Sequence, residues 1–140
     1  MIVVAIIALL AAIAVPAFMR ARQHAQTAKF MNTLRIATSA IEQYAMEHQK
    51  YPSDVGPRVL PPGMANYMDE TTDWTAPTPI GGNWDWDFNR SSVKAAVCVV
   101  NPTISTEQLE DIDSKIDDGD LNTGHFRISA PRRYSDIVEE

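Results

Sequence analysis

Residues 1–19 carry no charged side chain, and from Arg20 onward the apolar positions thin into a repeat of four and three. A helix rises about 1.5 Å per residue, so the uncharged run reaches roughly 28 Å, close to the hydrocarbon thickness of a bilayer. Pro16 is its single helix breaker, and a membrane span tolerates such a residue as a bend. Between Arg20 and Lys50 there is no Pro or Gly, and Phe30, Leu34, Ala37, Ile41, Tyr44 and His48 fall on one helical face. Arg22, Lys29, Arg35, Glu42 and Glu47 take the opposite one. The pattern predicts one continuous helix, apolar all round in 1–19 and half-buried in 20–50, stopped by Tyr51-Pro52.

The period changes in the remaining stretch, 51–140. Pro57, Pro61, Pro62 and Gly63 mark a loop, and Trp74 to Gly82 reads as another. Trp84-Asp85-Trp86-Asp87-Phe88 then alternates strictly, which predicts a strand with aromatic residues on its buried face and solvated carboxylates on the other. Val93 to Val100 is a second strand, and His125 to Ser129 a third. Thr106 to Ile116 reads as a short helix with Ser105 or Thr106 as N-cap and Glu107, Glu110 and Asp111 near its start. The architecture expected is α+β: an apolar helix long enough to span a membrane (1–19), its amphipathic continuation (20–50) lying on a small antiparallel sheet, and a β-rich head (51–140).

Three readings of the apolar run compete. A cleaved secretory signal could use Ala12-Ile13-Ala14, but it calls for a basic segment before the apolar core, and Met1 is followed directly by apolar residues. A buried core helix would need a head large enough to enclose it, and some ninety residues are too few. A membrane span able to pack against copies of itself meets neither objection.

The order of residues adds a resemblance. Met1-Ile2-Val3-Val4-Ala5-Ile6-Ile7-Ala8-Leu9-Leu10-Ala11-Ala12-Ile13-Ala14-Val15-Pro16-Ala17-Phe18 is similar to the N-terminal helix of type IV pilins and of the pseudopilins of type II secretion. That resemblance implies a structural filament subunit, held before assembly as a single-pass inner-membrane protein with its head in the periplasm or outside the cell. It implies as partners copies of itself or related pilins, an ATPase-driven inner-membrane assembly platform, a leader peptidase acting on the precursor, and membrane lipid. Members carry a basic leader, a cleavage site, an N-methylated first residue and a Phe-Thr-Leu-Ile-Glu-like stretch. None of these precedes Met1, so Met1 is expected to lie inside a longer natural chain. Ala8 stands where the family often has Gly, a mild change in a helix. Arg20 and Arg22 directly after the span would by themselves hold that end in the cytoplasm, so the orientation comes from the resemblance. Ala5, Ala8, Ala11, Ala12 and Ala14, small enough to let neighbouring helices approach, and Pro16, a place to bend, are the residues expected to serve assembly.

Charge divides the chain in the same place. Residues 1–50 hold five Lys/Arg and two Asp/Glu, a net of +3, so 51–140 carry −9 of the total −6. An acidic head does not offer the clustered basic surface that nucleic acid requires. The alternatives to a filament subunit are a monomeric membrane-anchored binding protein and a secreted protein behind a cleaved signal.

Candidate chemistry is sparse. Asp118, Asp120 and Asn122 place oxygen ligands at alternating positions among glycine turns, the material of a calcium loop, and some pseudopilins bind calcium in C-terminal loops. The spacing is not that of an EF-hand, because Thr123 stands at the sixth position and Ser129 at the twelfth. The competing reading is a solvated turn with Gly119 capping the helix. Calcium is the only cofactor candidate. Trp84, Trp86 and Phe88 would form a sugar platform if exposed, yet their strand spacing favours core. Cys98 is the single cysteine, set among valines as a small hydrophobe. His24, His48 and His125 lack metal-ligand spacing, and no nucleophile elbow, phosphate loop or zinc motif occurs, so no enzyme activity and no catalytic residue is expected.

Overall fold

The computed structural model describes residues 1–68 and 72–140. Its first element is helix α1, Ile2–His48, unbroken through Pro16. Pro16 has no amide hydrogen to give the Ala12 carbonyl, so one hydrogen bond of the helical ladder is missing there. The helix ends at Gln49, whose left-handed φ of 54° turns the chain away. Thr27, Phe30, Leu34, Ala37, Ala40 and Ile41 are buried, and Tyr44 packs at the margin, so the predicted stripe is the face laid on the head. His48, its expected last member, is exposed and stacks on Tyr44 with ring centroids 4.2 Å apart.

Four antiparallel strands form one sheet: β1 (Asn83–Arg90), β2 (Val93–Val100), β3 (Phe126–Ala130) and β4 (Arg133–Glu139), in the order β1-β2-β4-β3. A helix, α2 (Thr106–Ile116), connects β2 to β3. Ser105 is its N-cap, the side chain accepting the Gln108 amide at 3.3 Å. A 3-10 turn, Met64–Asn66, lies in the segment that follows α1.

Register assigns the faces. Trp84 pairs with Val99 and Trp86 with Val97, so these four point the same way, toward α1. Phe30 stacks on Trp84, its ring centroid 5.4 Å away, and meets Phe126 edge-on at 6.3 Å. Trp74, expected only as loop, is buried and stacks on Trp84 with ring centroids 5.8 Å apart. The aromatic strand is therefore core, and a water-facing sugar platform is not formed. Burying each such side chain contributes about 1.5–3 kcal/mol, enough for these aromatics to fix how the helix lies on the sheet.

Two expectations are corrected here. Strand β4 was not anticipated, because its helix-facing side alternates Tyr134 and Val138 with Asp136, and a carboxylate in that position hides the period. Asp136 is accommodated by Thr38 of α1, whose hydroxyl donates to it at 3.0 Å. Asp85 and Asp87 were expected to be solvated, yet both are fully buried. They share the sheet face turned away from α1 with Cys98, Ser135 and Arg133, and Arg133 folds over them.

Edge strand β1 does not stand open. The segment after α1 runs alongside it: the Arg58 amide donates to the Trp84 carbonyl at 2.9 Å, Trp86 Nε1 to the Pro52 carbonyl at 3.1 Å, and the Phe88 amide to Asp54 Oδ1 at 3.1 Å. An edge covered in this way does not template pairing with another sheet.

Candidate functional site

The first feature that the fold leaves unmatched is the front of α1. An 18-residue window there has a mean hydropathy of 2.9 and none of it is buried. Ile13 is 74% exposed and Phe18 70%. Ala5, Ala8, Ala11, Ala12 and Ala14 lie on this free rod, all exposed, with Ala8 and Ala12 one turn apart. Apolar surface on every side of an isolated helix is unstable in water, so it must enter lipid, other helices, or both. Length and composition suit a membrane anchor.

The second is an acidic cluster at the far end of α2. The helix buries Leu109, Ile112 and Asp113. Asp113 occupies a slot in the stripe 109, 112, 113, 116 that an apolar residue would ordinarily fill. The groups that bear on the buried Asp113 carboxylate are the Gly119 amide and the Asp118 carboxyl. Oxygens of Asp113, Asp117 and Asp118 lie within 4.8 Å of one another. Burial, followed by the charges of Asp118 and Asp117, pushes the Asp113 carboxyl up to about 6, and the nearby Gly119 amide offsets only part of this.

The loop after the helix is organised by its own aspartates. Asp118 accepts the Asp120 amide through Oδ1 at 2.8 Å and the Thr123 hydroxyl through Oδ2 at 2.8 Å. Asp120 Oδ1 in turn accepts the Asn122 amide at 3.0 Å and its side-chain Nδ2 at 2.8 Å. Asp117 accepts the His125 amide, joining the end of α2 to the start of β3. Gly124 permits that closure: its φ is 74°, and an added Cβ would collide with the Asp117 carboxylate. Of the three ligands expected from sequence, the fold brings Asp118 together with Asp113 and Asp117, while Asp120 and Asn122 fasten the turn. Asp113 was missed, although a lone aspartate on the apolar stripe of 106–116 was a signal that could have found it.

The third is the buried polar group behind the sheet. Arg133 Nη1 lies 2.7 Å from Asp85 Oδ2 and 2.6 Å from Asp87 Oδ1. Burial pushes the Asp85 carboxyl up to about 6 against the pull of Arg133. Cys98 Sγ lies 3.0 Å from Ser135 Oγ and 3.4 Å from Asp87 Oδ2, and burial raises its thiol pKa well above the usual range. A pair of carboxylates can serve acid–base chemistry where substrate can reach it, but these two are fully buried with Arg133 lying against both. The group holds the sheet together.

The solved structure of the major type IV pilin PilA1 from Clostridium difficile is similar to this chain, with a TM-score of 0.57 at 16% sequence identity. The match covers 84% of this chain and 97% of that one. No family model and no curated protein matches the sequence. The long N-terminal helix on a four-stranded antiparallel sheet is thus a pilin fold, as the resemblance of residues 1–18 implied.

Proposed function

We propose that this chain is a structural, non-enzymatic subunit of a type IV pilus-like or type II secretion pseudopilus filament. The observation that carries this reading is the apolar half of α1, which the head leaves bare along its whole length while gripping the second half through Phe30, Leu34 and Ile41. Before assembly the bare half would sit in the inner membrane with the head outside it. In the filament it would exchange lipid for neighbouring helices. Since both surroundings are apolar, the gain there comes from close packing, which the five alanines permit. Extraction would require an assembly platform, and the mature terminus a leader peptidase.

Purification of the native subunit from its own cell envelope tests this, with N-terminal sequencing, intact mass and electron microscopy of the sheared surface fraction. Filaments that contain the subunit, with a methylated N-terminus, support the reading. A terminus near Ala14 would indicate a cleaved signal and a secreted head. An intact α1 in a strictly monomeric membrane protein would indicate an anchored binding protein.

A further inference from the structure

We propose that the groove where α1 leaves the head binds the headgroup of an anionic phospholipid, with Arg22 holding its phosphate. The binding rests on the membrane-anchored state proposed above. The groove, of about 360 Å³, lies between α1 and the start of α2. Phe18 and Met19 form its apolar end, and Arg22, Gln23 and Gln26 continue along the same side of α1 at helical spacing. Gln108 of α2 lines the other wall and is tied to α1, its side-chain amide donating to the Thr27 hydroxyl at 3.3 Å.

Depth places the groove among headgroups. The uncharged run ends at Met19, so the hydrocarbon of a bilayer ends close to it, and the headgroup layer extends about 5–7 Å further. Arg22 follows Met19 by three residues, roughly 4.5 Å along the helix, which is inside that layer. Charge then selects the lipid. Among the described residues Arg22 makes no ion pair, and no Asp or Glu lines the groove, although the head as a whole is acidic. A guanidinium at this depth meets phosphodiesters, to which its planar fork donates in pairs. The ammonium of a zwitterionic headgroup would face Arg22 with no carboxylate to answer it. Hydroxyl groups would instead find the side-chain amides of Gln23, Gln26 and Gln108. The chemistry that fits is a phosphodiester with an uncharged, hydroxylated head, as in phosphatidylglycerol. Arg20 supplies a control within the chain: it lies at nearly the same depth but about 200° round the helix from Arg22, outside the groove.

The test uses the full chain in nanodiscs of equal parts phosphatidylglycerol and phosphatidylcholine, with the lipids retained by the released subunit counted by native mass spectrometry. Wild type is expected to keep phosphatidylglycerol over phosphatidylcholine by roughly fivefold. Arg22→Gln and Gln23→Glu, both at exposed positions that leave the fold intact, should bring the ratio to parity. Arg20→Gln removes the same charge and should leave the ratio as in wild type. Parity in wild type, or an equal fall in Arg20→Gln and Arg22→Gln, would overturn the site in favour of a general attraction of basic residues to anionic lipid. An Arg22→Gln chain that keeps the wild-type ratio yet loses filaments in cells would give the groove to a neighbouring copy instead. A wild-type chain absent from the nanodisc fraction would overturn the membrane anchor itself, and the proposal with it, whereas an inserted chain without lipid preference fails the proposal alone.

Discussion

Phe30 and Trp84 lie parallel, their planes 4° apart and their centroids separated by 5.4 Å. One belongs to α1 and the other to the first strand, so this stack is where the helix is fastened to the head. Trp74 also stacks on Trp84. Phe30→Ala should open a cavity between helix and sheet and cost about 3–5 kcal/mol, with Phe30→Leu costing less. Chemical denaturation of the full chain in detergent, followed by tryptophan fluorescence, measures both.

Asp85 gives the head a pH dependence of defined sign. Its folded pKa, about 6, lies above the roughly 3.9 of an unfolded aspartate. The folded state therefore binds the proton more tightly. The resulting stabilisation is complete below the unfolded value and is lost as pH rises through the folded one. The groups facing Asp85 are Arg133, Asp87 and, across the strand pair, Cys98. Asp85→Asn leaves the Arg133–Asp87 pair in place, so the stability of wild type relative to this variant should fall between about pH 4 and pH 6.5. A difference that is flat over that window would contradict the assignment.

Arg133 answers two buried carboxylates at once. Arg133→Met should destabilise by about 3–5 kcal/mol, more than the loss of an exposed pair such as Lys94–Glu139, because Asp85 and Asp87 would be left uncompensated. The double variant Arg133→Met with Asp87→Asn should recover part of the loss. Denaturant midpoints of the three proteins form the comparison.

Cys98 should be inert while the head is folded. Its thiol is buried and its ionisation is suppressed, first by burial and then by the charge of Asp87. Alkylation by iodoacetamide at neutral pH is expected only through the small opened population of the head, and therefore to speed up in Phe30→Ala. Rapid labelling of native protein would place the sulfur at the surface.

The alanines of the free rod should matter for assembly and little for insertion. Ala11→Trp or Ala12→Trp should abolish filaments while the subunit still fractionates with membranes, since a bulky apolar side chain suits lipid but not close helix packing. Filament yield by electron microscopy against membrane content by immunoblot separates the two. Normal filaments from either variant would sink the packing argument.

Periodicity, caps and turn signals made α1, β1, β2, α2 and β3 legible, because each is bounded by breakers and turns apolar residues toward a neighbour. β4 was hidden by Asp136, a carboxylate set among Tyr134 and Val138 on the side where an apolar residue is expected. Alternation correctly put Trp84 and Trp86 inside, and misplaced Asp85 and Asp87 in water for the same reason. It registers which face a residue takes, but not that Arg133, nearly fifty residues on, lies across that face. The acidic loop was visible as a run of aspartates. Its buried member was not, since Asp113 is separated from that run in sequence and only the helical turn returns it to Asp117.

The first buried residue of α1 is Thr27, and residues 20–25 between it and the apolar run are exposed. From Met19 to Thr27 is eight residues, roughly 12 Å of helix. With no break in α1, this neck works as a stiff lever: tilting its greasy end by a few degrees swings the whole acidic head sideways, and the angle at which the rod is seated decides where the head's outer surface points.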